Sequence, residues 1–152
     1  FPNASYIVQQ KEFDYWRSPG DKPSNGPAYE RVLAPIIAAN RLELVNDEYA
    51  ATKEVVAIPT PGHTPGHVSF AVISAGERAY VLGDAVHKPV QLTEPDWYPG
   101  FDLDPVESTK SRHMILDRAE QENALLAGGH FGFPSMGYPA HVDDRRTFRY
   151  AT

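Results

Sequence analysis

A mixed α/β fold is predicted by three features of the sequence. Short runs rich in Val, Ile, Phe or Tyr stand at Val55 to Ile58, Val68 to Ile73 and Ala79 to Leu82, each bounded by Gly, Pro or charge, as strands are. Asp104-Pro105-Val106-Glu107 has the form of a helix start: an Asp cap, Pro at the first helical position, and Glu where a capping box places it. The length, 152 residues, suits one domain with its own core.

The elements follow in order. Ser5 to Val8 is strand-like, and Lys11 to Trp16 suggests one or two helical turns. Residues 18 to 27, SPGDKPSNGP, read as a surface loop, too short for a domain linker. Tyr29, Leu33 and Ile36 recur at helical spacing, with Pro35 expected to kink that helix. After the three central strands, a helix runs from Asp104 to about Glu122 on a weak apolar stripe, and Ala124 to Ala127 reads as a fourth strand. There is no internal repeat and no low-complexity segment.

Composition narrows the partners. With 14 Lys and Arg against 20 Asp and Glu, the net charge of -6 argues against a nucleic-acid partner, whose affinity rests on clustered positive charge. No apolar run reaches the length of a membrane-spanning helix, so no membrane role is expected. The absence of cysteine removes disulfides, thiolate zinc sites and cysteine nucleophiles, and leaves the compartment open. The chain opens on Phe1, with methionine only at 114 and 136, which suggests a processed or cut piece.

Three strand ends share one pattern: an apolar run, then glycine, then a metal-type side chain. They lead to Gly62-His63, Gly83-Asp84 and Gly129-His130. Loops beyond strand ends are where ligands and metals collect, and glycine there permits backbone geometry that other residues resist. Two imidazoles and a carboxylate suit zinc, iron, manganese or cobalt. Taken singly, each histidine reads more readily as an ordinary hydrogen-bonded or solvated side chain and Gly83-Asp84 as a turn; their recurrence in one pattern brings the two readings level.

Thr60-Pro61-Gly62-His63-Thr64-Pro65-Gly66-His67, followed by Val68 and Phe70, resembles the TPGHTPGH segment of the metallo-β-lactamase superfamily. Leu82-Gly83-Asp84 resembles its strand-Gly-Asp motif, and Gly129-His130-Phe131 with Pro134 its late His-Phe-Pro motif, in the family's order. The resemblance extends from about residue 1 to 150 and is nearest to N-acyl-homoserine-lactone lactonases and methyl-parathion-hydrolase-like members. It implies an αββα sandwich, of which this chain supplies mainly the second sheet with its helices. Residues 1 to 152 are thus expected to form the C-terminal portion of a single domain.

The resemblance also implies roles. His63 and His130 would each hold one of two divalent ions, most readily zinc, with Asp84 between them, while His67 orients its loop. His87 stands where lactonase relatives place a tyrosine near the leaving group, so proton delivery or a pocket role is expected. Trp97, Tyr98, Phe101, Phe131 and Phe133 would line an apolar pocket for a small-molecule substrate. His113, within the helix, and His141, in a polar tail, are expected at the surface.

The family's first motif, HxHxDH, does not occur in these residues. A metal-dependent hydrolase of esters, lactones or phosphotriesters, inactive without its other half, is therefore the leading expectation. The alternatives are a non-catalytic metal-binding or interaction module, and a mononuclear enzyme built on His63, Asp84 and His130. The sheet face that the other half covers would be left bare, and is expected to find the missing segment or a second copy.

Overall fold

The computed structural model describes residues 1, 3–17 and 29–152, which fall into two compact units, Phe1–Asp47 and Glu48–Thr152. The loop expected at 18 to 27 lies outside the described residues. In the first unit, β1 (Tyr6–Gln9) runs straight into α1 (Gln10–Arg17). A π-helical turn (Tyr29–Leu33) leads into α2 (Ala34–Ala38), and β2 (Leu42–Val45) pairs parallel with β1, Tyr6 opposite Leu42. Pro35 sits in the first turn of α2, directly after the π-helical turn, so the helical run changes its hydrogen-bonding pattern where the proline lacks an N–H.

The second unit is one seven-stranded sheet whose order follows the chain: β3 (Tyr49–Ala50), β4 (Val55–Pro59), β5 (Val68–Ser74), β6 (Glu77–Val81), β7 (Leu125–Ala127), β8 (Met136–Val142) and β9 (Arg145–Tyr150). Every neighbouring pair is antiparallel except β6 and β7, which are parallel. A parallel pair demands a long crossover. Here it holds a 3-10 turn (Gly83–Ala85), α3 (Val90–Thr93) and α4 (Pro105–Gln121). No helix among the described residues is long and apolar enough to cross a membrane.

Local chemistry accounts for the joints. Asp104 caps α4, its Oδ1 accepting the Glu107 N–H at 3.0 Å, with Pro105 opening the helix as its sequence predicts. The β5–β6 and β8–β9 hairpins turn on Ala75-Gly76 and Asp143-Asp144, each pair with two positive φ angles, the geometry that matches strand twist. The β8–β9 hairpin replaces the expected polar tail and puts His141 in a strand. Pro139 is tolerated inside β8 because β7 pairs with β8 only at Met136 and Gly137.

The two faces of the sheet differ. Val56, Ala71, Tyr80 and Leu126 lie in one register row facing α4, where Ile115, Leu116 and Ala119 close the core. The opposite face carries the row Ala57, Phe70, Val81, Ala127 and Met136. Three of its members keep a large exposed area: Phe70 37%, Val81 41% and Met136 43%. Beside that row, Val72, Ala79, Leu125 and Tyr138 border a cleft of about 310 Å³.

Two close approaches aim the strand ends. Gly62 (φ +131°) lies against the start of α4, where a Cβ would come within 2.1 Å of the Ser108 nitrogen. Gly83 (φ +57°) lies under the His67 ring, where a Cβ would fall 2.7 Å from Nε2. That nitrogen accepts the Asp84 N–H at 2.9 Å, which leaves the His67 proton on Nδ1, 3.0 Å from the Thr60 carbonyl oxygen. His67 thus fixes the backbone of Asp84, as a loop-orienting histidine should.

Gly83→Ala is expected to lower stability by about 1–3 kcal/mol, through left-handed strain and the displaced imidazole, measured by urea unfolding. Burial, and then the hydrogen bond to Glu122 at 2.5 Å, pushes the Tyr80 phenol up to about 12. The folded state therefore holds this proton where the unfolded chain loses it. Stability is full below the unfolded value near 10 and falls as pH rises through about 12. An alkaline titration of the phenolate absorbance should show one of the eight tyrosines ionising near 12, a step absent from Tyr80→Phe.

Candidate metal centre

His63 follows β4 on a loop docked against the start of α4. The Asp104 N–H donates to the Gly62 carbonyl at 2.9 Å, and the Ser111 hydroxyl to the Pro61 carbonyl at 2.7 Å. His63 Nδ1 lies 3.0 Å from Asp102 Oδ1, and the Asp102 side chain is fully buried. A carboxylate accepts only, so this contact puts the His63 proton on Nδ1 and leaves the Nε2 lone pair facing outward. It faces Asp84 Oδ2 at 3.7 Å. Two acceptors confronting each other call for a positive charge between them, either a proton or a metal ion.

Asp84, at the end of β6, has its other oxygen engaged elsewhere. Its Oδ1 lies 2.9 Å from His130 Nε2 and 3.4 Å from His87 Nε2. His130 comes from the loop after β7, and Lys88 Nζ donates to its carbonyl at 3.1 Å. Three strand ends therefore deliver His63, Asp84 and His130 to one place, the convergence on which the sequence reading depends.

His87 joins them. Its ring stacks on His130 (centroids 5.3 Å apart, 14° between planes), and one ligand atom each from His63, Asp84 and His87 lie within 4.8 Å of one another. Burial pushes the His87 pKa below its ordinary value, with Asp84 opposing, so the ring is neutral at pH 7. Its Nδ1 is buried without a hydrogen-bond partner, which favours the proton on Nε2, the nitrogen facing Asp84. The donors, imidazoles and a carboxylate with no thiolate, suit a borderline divalent ion.

The aromatic residues separate. Phe101 packs edge-on against His63 and His87, with ring centroids at 5.8 and 5.1 Å, and is 63% exposed. Trp97, Tyr98 and Phe133 are exposed, Phe133 almost completely. Phe131, expected in the pocket, is instead part of the core and packs against Phe148 at 4.9 Å. Gly128 leaves room for that ring: a Cβ there would lie 2.5 Å from it. His113 pairs with Asp96 and His141 with Glu120, both half-exposed and outside the cluster.

Three residues absent from the sequence reading hold the site from behind. Asp102 Oδ2 accepts from the Ser108 hydroxyl at 2.6 Å and lies 3.6 Å from Arg112 Nη2. Arg112, fully buried, donates from Nε to the Ala85 carbonyl at 2.9 Å and from Nη1 to the Pro95 carbonyl at 2.8 Å. The usable signal was spacing: Ser108, Ser111 and Arg112 share the inward stripe of α4 with Ile115, Leu116 and Ala119.

Comparison with known proteins agrees with this architecture. The N-acyl homoserine lactonase AttM of Agrobacterium fabrum (strain C58 / ATCC 33970) is 29% identical over 133 residues, 86% of this chain and 51% of its own length. The AttM protein of Azorhizobium caulinodans is 26% identical over the same length. The chain thus spans about half the length of the curated relatives it matches. Among solved structures, the hydrolase AbOPH of the beta lactamase superfamily superposes with a TM-score of 0.79 at 24% identity. The dizinc quorum-quenching lactonase AidC, in complex with a product, does so with a TM-score of 0.79 at 22% identity. Each match covers 100% of this chain and 56% of the other. Residues 2–130 match the family model of the metallo-beta-lactamase superfamily, and the chain belongs to that superfamily.

Proposed function

We propose that this chain contributes half of a two-metal hydrolase site acting on a lactone or related ester, its remaining ligands coming from an HxHxDH cluster outside these 152 residues. The division of the Asp84 carboxylate carries the reading: Oδ2 stands 3.7 Å from His63 Nε2 and Oδ1 2.9 Å from His130 Nε2. One oxygen toward each imidazole suits a ligand shared by two ions that each have a private histidine. Zinc fits the donor set first, with iron, manganese or cobalt as alternatives. Such ions, when bound, supply hydroxide at neutral pH and polarise the oxygen of the group under attack.

The chain's own side chains do the remainder. His63 and His130 hold, and Asp84 spans. His87 carries a proton on Nε2, beside Asp84, within reach of a leaving oxygen released on that side. Phe101 offers an apolar edge against His63 and His87, with Trp97 and Phe133 as further exposed aromatic surface for an acyl chain. The names of the AttM relatives favour a lactone over a phosphotriester. The apolar row from Ala57 to Met136 is read as the face covered by the other half of the sandwich.

A second reading has its own observation. His63, Asp84 and His87 form the tighter donor group, which favours a single ion held by those three. Single substitutions separate the two. Under the two-metal reading, His130→Ala loses one equivalent of zinc by elemental analysis, while His87→Ala keeps its zinc and hydrolyses an N-acyl homoserine lactone roughly 10²-fold more slowly. Zinc lost from His87→Ala and retained in His130→Ala selects the single-ion reading. Chelation should abolish hydrolysis and added zinc restore it. Hydrolysis that survives complete chelation, with no metal left in the protein, counts against both.

A further inference from the structure

We propose that Asp102 is a positioning residue for His63: it fixes the proton on Nδ1 and so aims the Nε2 lone pair at Asp84. The inference rests on the metal-site reading above for its purpose, but its geometry stands apart from any ion. Both Asp102 oxygens are committed, Oδ1 to His63 Nδ1 at 3.0 Å and Oδ2 to the Ser108 hydroxyl at 2.6 Å. Arg112 Nη2, at 3.6 Å from Oδ2, sets a buried positive charge behind the carboxylate and donates to Ser108 Oγ at 3.1 Å. The Ser108 hydroxyl therefore accepts from Arg112 and has one proton, which goes to Asp102. Nothing on that side can give a proton to His63, so the imidazole must give its own. The carboxylate, wholly buried behind the ring, cannot turn outward to become a ligand itself. A carboxylate behind a metal-binding histidine orients the ring and raises its basicity, and such partners change metal affinity about 10–100-fold when removed.

The experiment uses the intact protein that carries this chain and has one arm without metal. Long-range proton–nitrogen correlation spectra of the metal-free protein should show His63 protonated on Nδ1 and bare on Nε2. Asp102→Asn reverses the pattern: its amide oxygen must serve Ser108 and Arg112, and its NH2 then donates to Nδ1, moving the His63 proton to Nε2. Zinc titration of the same variant should show affinity lower by about 10–100-fold. Asp96→Asn, which alters a carboxylate paired with the half-exposed His113, should change neither reading.

A wild-type His63 protonated on Nε2 overturns the inference, with no variant required. So does an Asp102→Asn protein with unchanged tautomer and zinc affinity, even if its urea midpoint falls, since that result assigns Asp102 a structural role alone. Should Asp102→Asn not fold, Ser108→Ala keeps the carboxylate: it should leave His63 protonated on Nδ1, and a proton on Nε2 there overturns the inference. A wild-type protein with the expected tautomer but no zinc uptake supports this inference and sinks the metal-site reading instead.

Discussion

A guanidinium with no exposed surface must find acceptors inside the protein, and much of the candidate site is arranged around the need of Arg112 to do so. The charge is costly to bury, and burial depresses its pKa while Asp102 pushes it back. What makes the group tolerable is a full set of partners: the Ala85 and Pro95 carbonyls, the Ser108 hydroxyl and the Asp102 carboxylate. Those partners belong to three segments: the turn that carries Asp84, the loop after α3, and the start of α4. One planar group therefore ties the backbone beside Asp84 to the carboxylate behind His63. Removing it would leave Asp102 as a buried, uncompensated anion, the arrangement that proteins tolerate least.

The same demand explains what the sequence hid. The apolar stripe of α4 looks weak because its first half is polar: Ser108, Ser111 and Arg112 occupy the inward positions that Ile115, Leu116 and Ala119 continue. The inward face is unbroken, but its amino-terminal half packs against the site and its carboxy-terminal half against the core. Reading hydrophobicity alone catches only the second half. The central strands, the cap at Asp104 and the mixed α/β class were legible because each rests on local chemistry. β8 and β9 were not, since Pro139, Asp143, Asp144 and three arginines disguise the hairpin they form. Phe131 was misread for a related reason: its neighbour His130 faces the site, and adjacent residues in a turn need not share a direction.

Glycine at each strand end pointed to His63, Asp84 and His130 without deciding between a ligand set and ordinary side chains, and it was the motif resemblance that tipped the reading. The structure adds the reason for glycine at two of those strand ends. Gly62 lets α4 approach, and through it Ser108 and Asp102 reach the back of His63. Gly83 lets His67 reach the Asp84 N–H, so one histidine of the PGH repeat aims the carboxylate that the other faces. The repeat thus divides its labour. Both imidazoles meet an oxygen acceptor at Nδ1, but His67 turns Nε2 to the Asp84 backbone and His63 turns it to the Asp84 side chain.

His87 shows how packing sets the character of such a cluster. Stacked on His130 and edge-on to Phe101, with Nδ1 buried and unpartnered, its ring has no second acceptor for the proton an imidazolium would carry. The nearby anion, Asp84, pulls in the opposite direction and loses to desolvation. A neutral His87 puts no cation of its own beside Asp84, so the carboxylate charge is not offset from that side. Phe101, edge-on to that ring, adds to its burial, and burial is what outweighs the pull of Asp84 on the His87 proton.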